Sequence, residues 1–263
     1  MRIFVMVDME GISGIVNSDQ VIPGQPYYDE GRQYTTWDVN ACVAGCFDGG
    51  ATEVVVRDAH YKGKNFIWSD LDGRAEYIIG GSGASRMPDI ASFDGMILLG
   101  YHAMAGTPAA VLEHTMSSGS WQNLWIDGRP SGEIGMDMGY AAQHGVPTVM
   151  VSGDDKACAE AVALVPDIVT APVKQAYALF GAKLLSKDSA HALIRQRAAA
   201  AVGKCKRIAP IKADGPVTMR LQLVERVPMP SPADQPYLKI IDNRTFEVTG
   251  DTFIEAFHRV CRN

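Results

Sequence analysis

Four short runs, apolar apart from Thr148, constrain the fold more than any other feature. They lie at residues 3–7, 54–56, 96–99 and 148–151. Each is followed within four residues by Asp, Glu or His. Short runs without polar alternation, rich in β-branched residues, read as strands buried on both faces of a parallel sheet. Helical patterns separate them. One covers 29–48 and stops at Gly49-Gly50; one opens at Ser131-Gly132-Glu133 and runs to about residue 144; one covers 156–164. Strand and helix alternate to about residue 170. The expected class is therefore α/β, a mostly parallel sheet with helices on both faces.

The remainder reads differently. Residues 186–202 form a helical pattern with Ser186 as its N-cap. Val217, Met219, Leu221 and Leu223 alternate with Thr218, Arg220 and Gln222, the pattern of an antiparallel strand with one wet face. Hairpins are expected at 121–126 with its Asp127-Gly128 turn, and at 238–248 around Asp242-Asn243. The Pro-rich stretch 229–236 is a loop. Asp251 is expected to cap a final helix that turns Phe253, Ile254, Phe257 and Val260 inward. The expected organisation is an α/β metal-binding catalytic domain over 1–174, with a smaller α+β domain over 175–263 packed on it.

The chain has 263 residues, 47% apolar and 21% charged, with a net charge of −6. No basic cluster is long enough to track a phosphate backbone, so nucleic acid is not an expected partner. No apolar run approaches the ~18 residues of a membrane span. The first strand starts at once, without a basic n-region or cleavage site, so a cytoplasmic location is expected. The five cysteines (Cys42, Cys46, Cys158, Cys205 and Cys261) are odd in number and scattered, which suits a reducing compartment. Cys42 and Cys46 sit among Ala41, Val43, Ala44 and Phe47 and read as core residues.

The chemistry gathers at the strand ends. Asp8 and Glu10 are separated by one residue, so in extended chain they point the same way. Two converging carboxylates need a cation between them, or a proton. His60 follows the second strand and His102 follows the 96–99 strand. In a parallel sheet these ends share one edge, where ligands bind. Imidazole nitrogen with carboxylate oxygen is the donor set of zinc or manganese, and several acids suit a carboxylate-bridged metal pair. Glu133, at a helix start, reads as a further ligand or as a helix-dipole partner. His114, in a Ser/Thr-containing loop, reads as ligand, general acid or loop residue. His144, His191 and His258 lie on helical patterns and read as surface groups.

The segments Asp8-Met9-Glu10-Gly11-Ile12-Ser13-Gly14, Asp58-Ala59-His60, Gly100-Tyr101-His102-Ala103-Met104, Glu113-His114-Thr115, Gly132-Glu133-Ile134-Gly135 and Ser152-Gly153-Asp154-Asp155 together resemble the zinc-dependent D-aminopeptidase family of the dipeptide-operon type. The resemblance implies two zinc ions per chain, held by Asp8, Glu10, His60, His102 and Glu133, and a catalytic His114. It also implies a short peptide substrate with an N-terminal D-residue such as D-alanine, and a homo-oligomer, a decameric ring of two stacked pentamers. The expected function is a metallo-aminopeptidase using zinc-activated water. Two alternatives stand beside it. A magnesium-dependent phosphatase of the haloacid-dehalogenase kind also ends its first strand in an acid-x-acid pair and could use Asp154 and Asp155, but it leaves His60 and His102 without a role. The other is a non-catalytic ring protein that binds peptide or metal.

Overall fold

A computed structural model describes every residue except Ala84, Asp234 and Asn263. Asp234 belongs to the Pro-rich stretch and so lies outside the described residues. The first sheet contains β1 (Arg2–Val7), β2 (Glu53–Asp58), β3 (Glu76–Ile78), β4 (Gly95–Tyr101), β7 (Thr148–Asp154), β8 (Val169–Ala178) and β9 (Gly181–Leu184). Its strand order is β3-β2-β1-β4-β7-β8-β9. Every pair is parallel except β8 with β9. The second sheet, antiparallel throughout, has the order β11-β12-β10-β5-β6. Its strands are β5 (Trp121–Ile126), β6 (Arg129–Ser131), β10 (Val217–Leu223), β11 (Leu238–Asp242) and β12 (Thr245–Gly250).

Alternate residues of β1 serve two separate cores. Ile3, Val5 and Val7 pack with Val39 and Val43 of α1 (Tyr28–Asp48) and with Ala190 and Ile194 of α4 (Lys187–Val202). Phe4 and Met6 face Ile134 and Met138 of α2 (Glu133–Gln143). The same side holds Met219 of β10 and Phe257 of α5 (Phe253–Arg262). Ala157 and Ala161 of α3 (Asp155–Leu164) join this second core. Burial on both faces is why the strand shows no polar alternation. The expected mostly parallel, doubly covered sheet is what the chain forms.

Three local expectations differ. The boundary expected between residues 174 and 175 falls inside β8. Strands β8 and β9 complete the first sheet, whereas β5 joins the second sheet beside β10, with β6 paired to its outer edge. Strand β8 (Val169–Ala178) also runs well past residue 170, where the alternation is expected to end. Pro172 obscures it in the sequence, and the register with β7 shifts beside its partner Gly153. Finally, α5 is capped by the Thr252 hydroxyl, which accepts from the Glu255 amide. The Asp251 amide instead donates to the Glu255 carboxylate. The Asp127-Gly128 turn has positive φ at both residues (49° and 77°), the conformation that matches strand twist in a two-residue hairpin.

Candidate metal centre

Strands β2, β1 and β4 lie side by side and end together. Val7 is level with Asp58 on one side and Leu99 on the other. The chain leaving β1 is pressed onto the end of β4: the Gly11 amide donates to Gly100 O at 2.7 Å. A Cβ on Gly11 would lie 2.0 Å from Tyr101 O, and one on Gly100 2.3 Å from Asp8 O. Only glycine permits this approach, which draws the two acids towards the histidine after β4.

Asp8, Glu10, His60, His102, His114 and Glu133 converge there. His60 Nδ1 lies 3.0 Å from Asp8 Oδ1 and 3.3 Å from Glu10 Oε2. His102 Nε2 lies 3.3 Å from Asp8 Oδ2 and 3.2 Å from Glu133 Oε1. His114 Nε2 is 3.7 Å from Glu133 Oε1, and its ring stacks on His102 at 4.0 Å between centroids. Two groups of donors result, Asp8/Glu10/His60 and His102/His114/Glu133, each with its donor atoms within 4.8 Å of one another. Asp8 turns one oxygen towards each.

The outer nitrogen of every ring meets a backbone carbonyl. His60 Nε2 lies 2.9 Å from Val21 O, His102 Nδ1 3.0 Å from Ala103 O, and His114 Nδ1 2.9 Å from Leu112 O. A carbonyl only accepts, so each outer nitrogen carries the proton and a neutral ring points its lone pair inward. Burial alone would lower the pKa of His60 and His102. The facing acids overcome it: Glu10 and Asp8 hold His60 well above its ordinary value, and Asp8 and Glu133 do the same for His102. Burial would raise Asp8, yet the facing imidazoles of His102 and His60 hold it well below the usual carboxylate range. Even so, the buried Glu10 Oε2 and His102 Nε2 have no hydrogen-bond partner among the described residues. Such orphaned atoms are costly. A divalent cation accepted by nitrogen and carboxylate oxygen removes that cost, and the donor set suits zinc.

The sequence reading missed the supports of this centre. Lys174, from β8, is 2% exposed and donates to Glu10 O (2.6 Å), Ile12 O (2.9 Å) and Ile15 O (2.6 Å). Burial pushes its ammonium down to about 8. Ser13 donates its amide and hydroxyl to the buried Asp38 of α1 at 2.8 and 2.6 Å. Lys174→Met is expected to leave three carbonyls without their donor and to lower stability by about 3 kcal/mol, read by chemical denaturation. An unchanged midpoint would remove Lys174 as the clamp of this loop.

Other candidates fall elsewhere. Asp154 Oδ1 caps α3, accepting from Lys156 N (3.0 Å) and Ala157 N (2.8 Å), while its Oδ2 accepts from Val111 N (2.9 Å). Asp155 accepts from Ala176 N and Lys156. These contacts account for both acids that the phosphatase alternative would have used. His191 is not a simple surface group: its Nε2 lies 3.4 Å from the buried Asp38, and its ring meets Trp37 edge-on. Cys42 and Cys46 are buried core residues.

The centre opens into a cavity of about 740 Å³. Its acids are Asp8, Glu10, Glu113 and Glu133, and its apolar wall includes Ile22, Leu112, Met116, Leu179 and Phe180. No helix among the described residues is long and apolar enough to cross a membrane.

Comparison with known proteins agrees with this geometry. A family model described as D-aminopeptidase matches residues 1–261. A curated D-aminopeptidase of Bacillus subtilis (strain 168) is 37% identical over 213 residues, covering 80% of this chain and 77% of the relative. A solved structure, described as the zinc-dependent D-aminopeptidase DppA from Bacillus subtilis, a self-compartmentalizing protease, superposes with a TM-score of 0.92 at 31% identity. The match covers 100% of this chain and 96% of that one.

Proposed function

The chain belongs to the D-aminopeptidase family, and from that premise we propose that it is a zinc-dependent aminopeptidase removing an N-terminal D-residue, such as D-alanine, from short peptides. The observation that carries this reading is Asp8, whose two oxygens face His60 and His102 in separate donor groups. Two zinc ions per chain are proposed; Asp8, Glu10, His60, His102 and Glu133 would hold them, with Asp8 available to both donor groups. Bound zinc acts as a Lewis acid and makes water acidic enough to be a nucleophile near neutral pH.

The chain's own residues supply the rest. Glu113, a cavity acid outside the proposed ligand set, attracts the free ammonium of the substrate, which favours cleavage next to the amino terminus. His114 keeps its Nδ1 proton on Leu112 O, so its Nε2 is free to carry a proton to the leaving amine nitrogen. Leu112, Leu179 and Phe180 exclude water from the peptide side chain.

The homologue's self-compartmentalizing description supports a homo-oligomer here, proposed as a decameric ring of two pentamers acting in the cytoplasm. The hairpin of β8 and β9 and the residue after it expose Tyr177, Leu184 and Leu185, apolar surface that such an assembly would cover.

The deciding experiment is elemental mass spectrometry on protein purified without chelator or metal-affinity tag, paired with hydrolysis of D- and L-alanyl peptides. About two zinc ions per chain are expected. Chelation should abolish hydrolysis, and added zinc should restore it. Magnesium alone, or turnover that survives full chelation, would sink the reading.

A further inference from the structure

Arg86 is the one Lys or Arg among the described residues lining the cavity. It lies between β3 and β4, where no sequence pattern marks it. Its guanidinium is held edge-on by Asp137: Nε donates to Oδ1 at 2.5 Å and Nη2 to Oδ2 at 2.9 Å. Asp137 is completely buried, and Tyr101 donates its hydroxyl to Oδ2 at 2.6 Å. The pair is therefore rigid. It occupies Nε and one edge of Nη2 and leaves Nη1 without a partner among the described residues. The side chain keeps 18% exposure, on a residue that lines the cavity.

We propose that Arg86 is a specificity-determining residue that receives the C-terminal carboxylate of a short peptide whose amino end lies at the metal centre. This rests on the aminopeptidase reading above. Three observations carry it. Charge is the first: with Asp8, Glu10 and Glu133 committed to metal, Arg86 is the one Lys or Arg among the described lining residues that can meet a carboxylate away from the metal centre. Length is the second. Asp137 stands four residues after Glu133 on α2, just over one turn or ~6 Å along the helix. Arg86 is thus anchored about one turn from a metal-ligand candidate, and a dipeptide extends over ~7 Å. Pre-organisation is the third. A guanidinium already fixed by a buried carboxylate loses little freedom on forming a further charge-assisted hydrogen bond.

A purely structural role is the competing account, since the Arg86–Asp137 pair also ties the segment before β4 to α2. The two accounts separate by substrate. The probes are D-alanyl-D-alanine and its C-terminal amide, with the L-forms run in parallel, on zinc-loaded enzyme. Wild type is expected to favour the free acid by roughly 10- to 100-fold in kcat/KM, mostly through KM. In Arg86→Gln this acid-to-amide ratio should fall towards one, while Arg86→Lys should keep part of it. The ratio is taken within one preparation, so a reduced folded fraction cancels. A poorly folding Arg86→Gln leaves the wild-type ratio and Arg86→Lys to decide. Equal use of acid and amide by wild type overturns the proposal, as does a variant that slows both probes equally. Hydrolysis of neither probe by wild type overturns the aminopeptidase reading and this one with it. Hydrolysis without discrimination overturns the role of Arg86 alone.

Discussion

Asp8→Asn is expected to abolish zinc retention and to lower kcat/KM by at least about 10³-fold. The substitution is nearly isosteric, and the Asn side-chain oxygen can still accept from the Met9 amide as Asp8 does at 3.0 Å. The fold should therefore survive. What is lost is the negative charge that faces His60 and His102 together. Removing one partner of a buried charged cluster costs roughly 3–5 kcal/mol, or two to four decades of affinity at ~1.4 kcal/mol per decade. Because Asp8 faces both donor groups, both ions should weaken. Elemental analysis after dialysis reads the first effect, and steady-state hydrolysis of an alanyl peptide the second. Two zinc ions retained, with activity within tenfold of wild type, would show that Asp8 does not bridge the metals.

The second large effect is expected at His114. His114→Ala should keep both zinc ions yet lower kcat by about 10²- to 10⁴-fold, the usual worth of a positioned general acid. The ring lies against His102 and its Nε2 is the farthest of the inward nitrogens from its carboxylate neighbour, at 3.7 Å. That makes it the member of its donor group best able to act on substrate. KM should change little, since a proton delivered in the transition state leaves ground-state binding alone. Loss of one zinc ion in the variant would move His114 into the ligand set. A near-normal kcat would remove it from the chemistry.

Asp8, Glu10, His60 and His102 are legible in the sequence because they follow strands that announce themselves. The run 3–7 is apolar on both faces, and Asp8 and Glu10 come directly after it. His60 and His102 stand just past β2 and β4, and parallel neighbours must finish on one edge. Glu133 and His114 were visible as residues, but their roles stayed open. Nothing local says that the Glu133 oxygen meets both the Met116 amide and two imidazoles.

The sequence by itself determined the alternation of strand and helix, the buried character of the parallel strands and the set of side chains gathered at their ends. These follow from local rules: side-chain period, helix capping and the direction of a strand. Only the tertiary structure decided which distant groups serve the centre. Lys174 reaches carbonyls more than 150 residues away, and Arg86 meets Asp137 across 51 residues. Likewise β5 pairs with β10 in the second sheet and carries β6 on its other edge, and the inward Met219 and Leu221 of β10 complete the core over α2. Such contacts are set by how the two sheets pack. A single lysine, arginine or aspartate carries no periodicity, so a chain read one window at a time gives it no distinguishing mark.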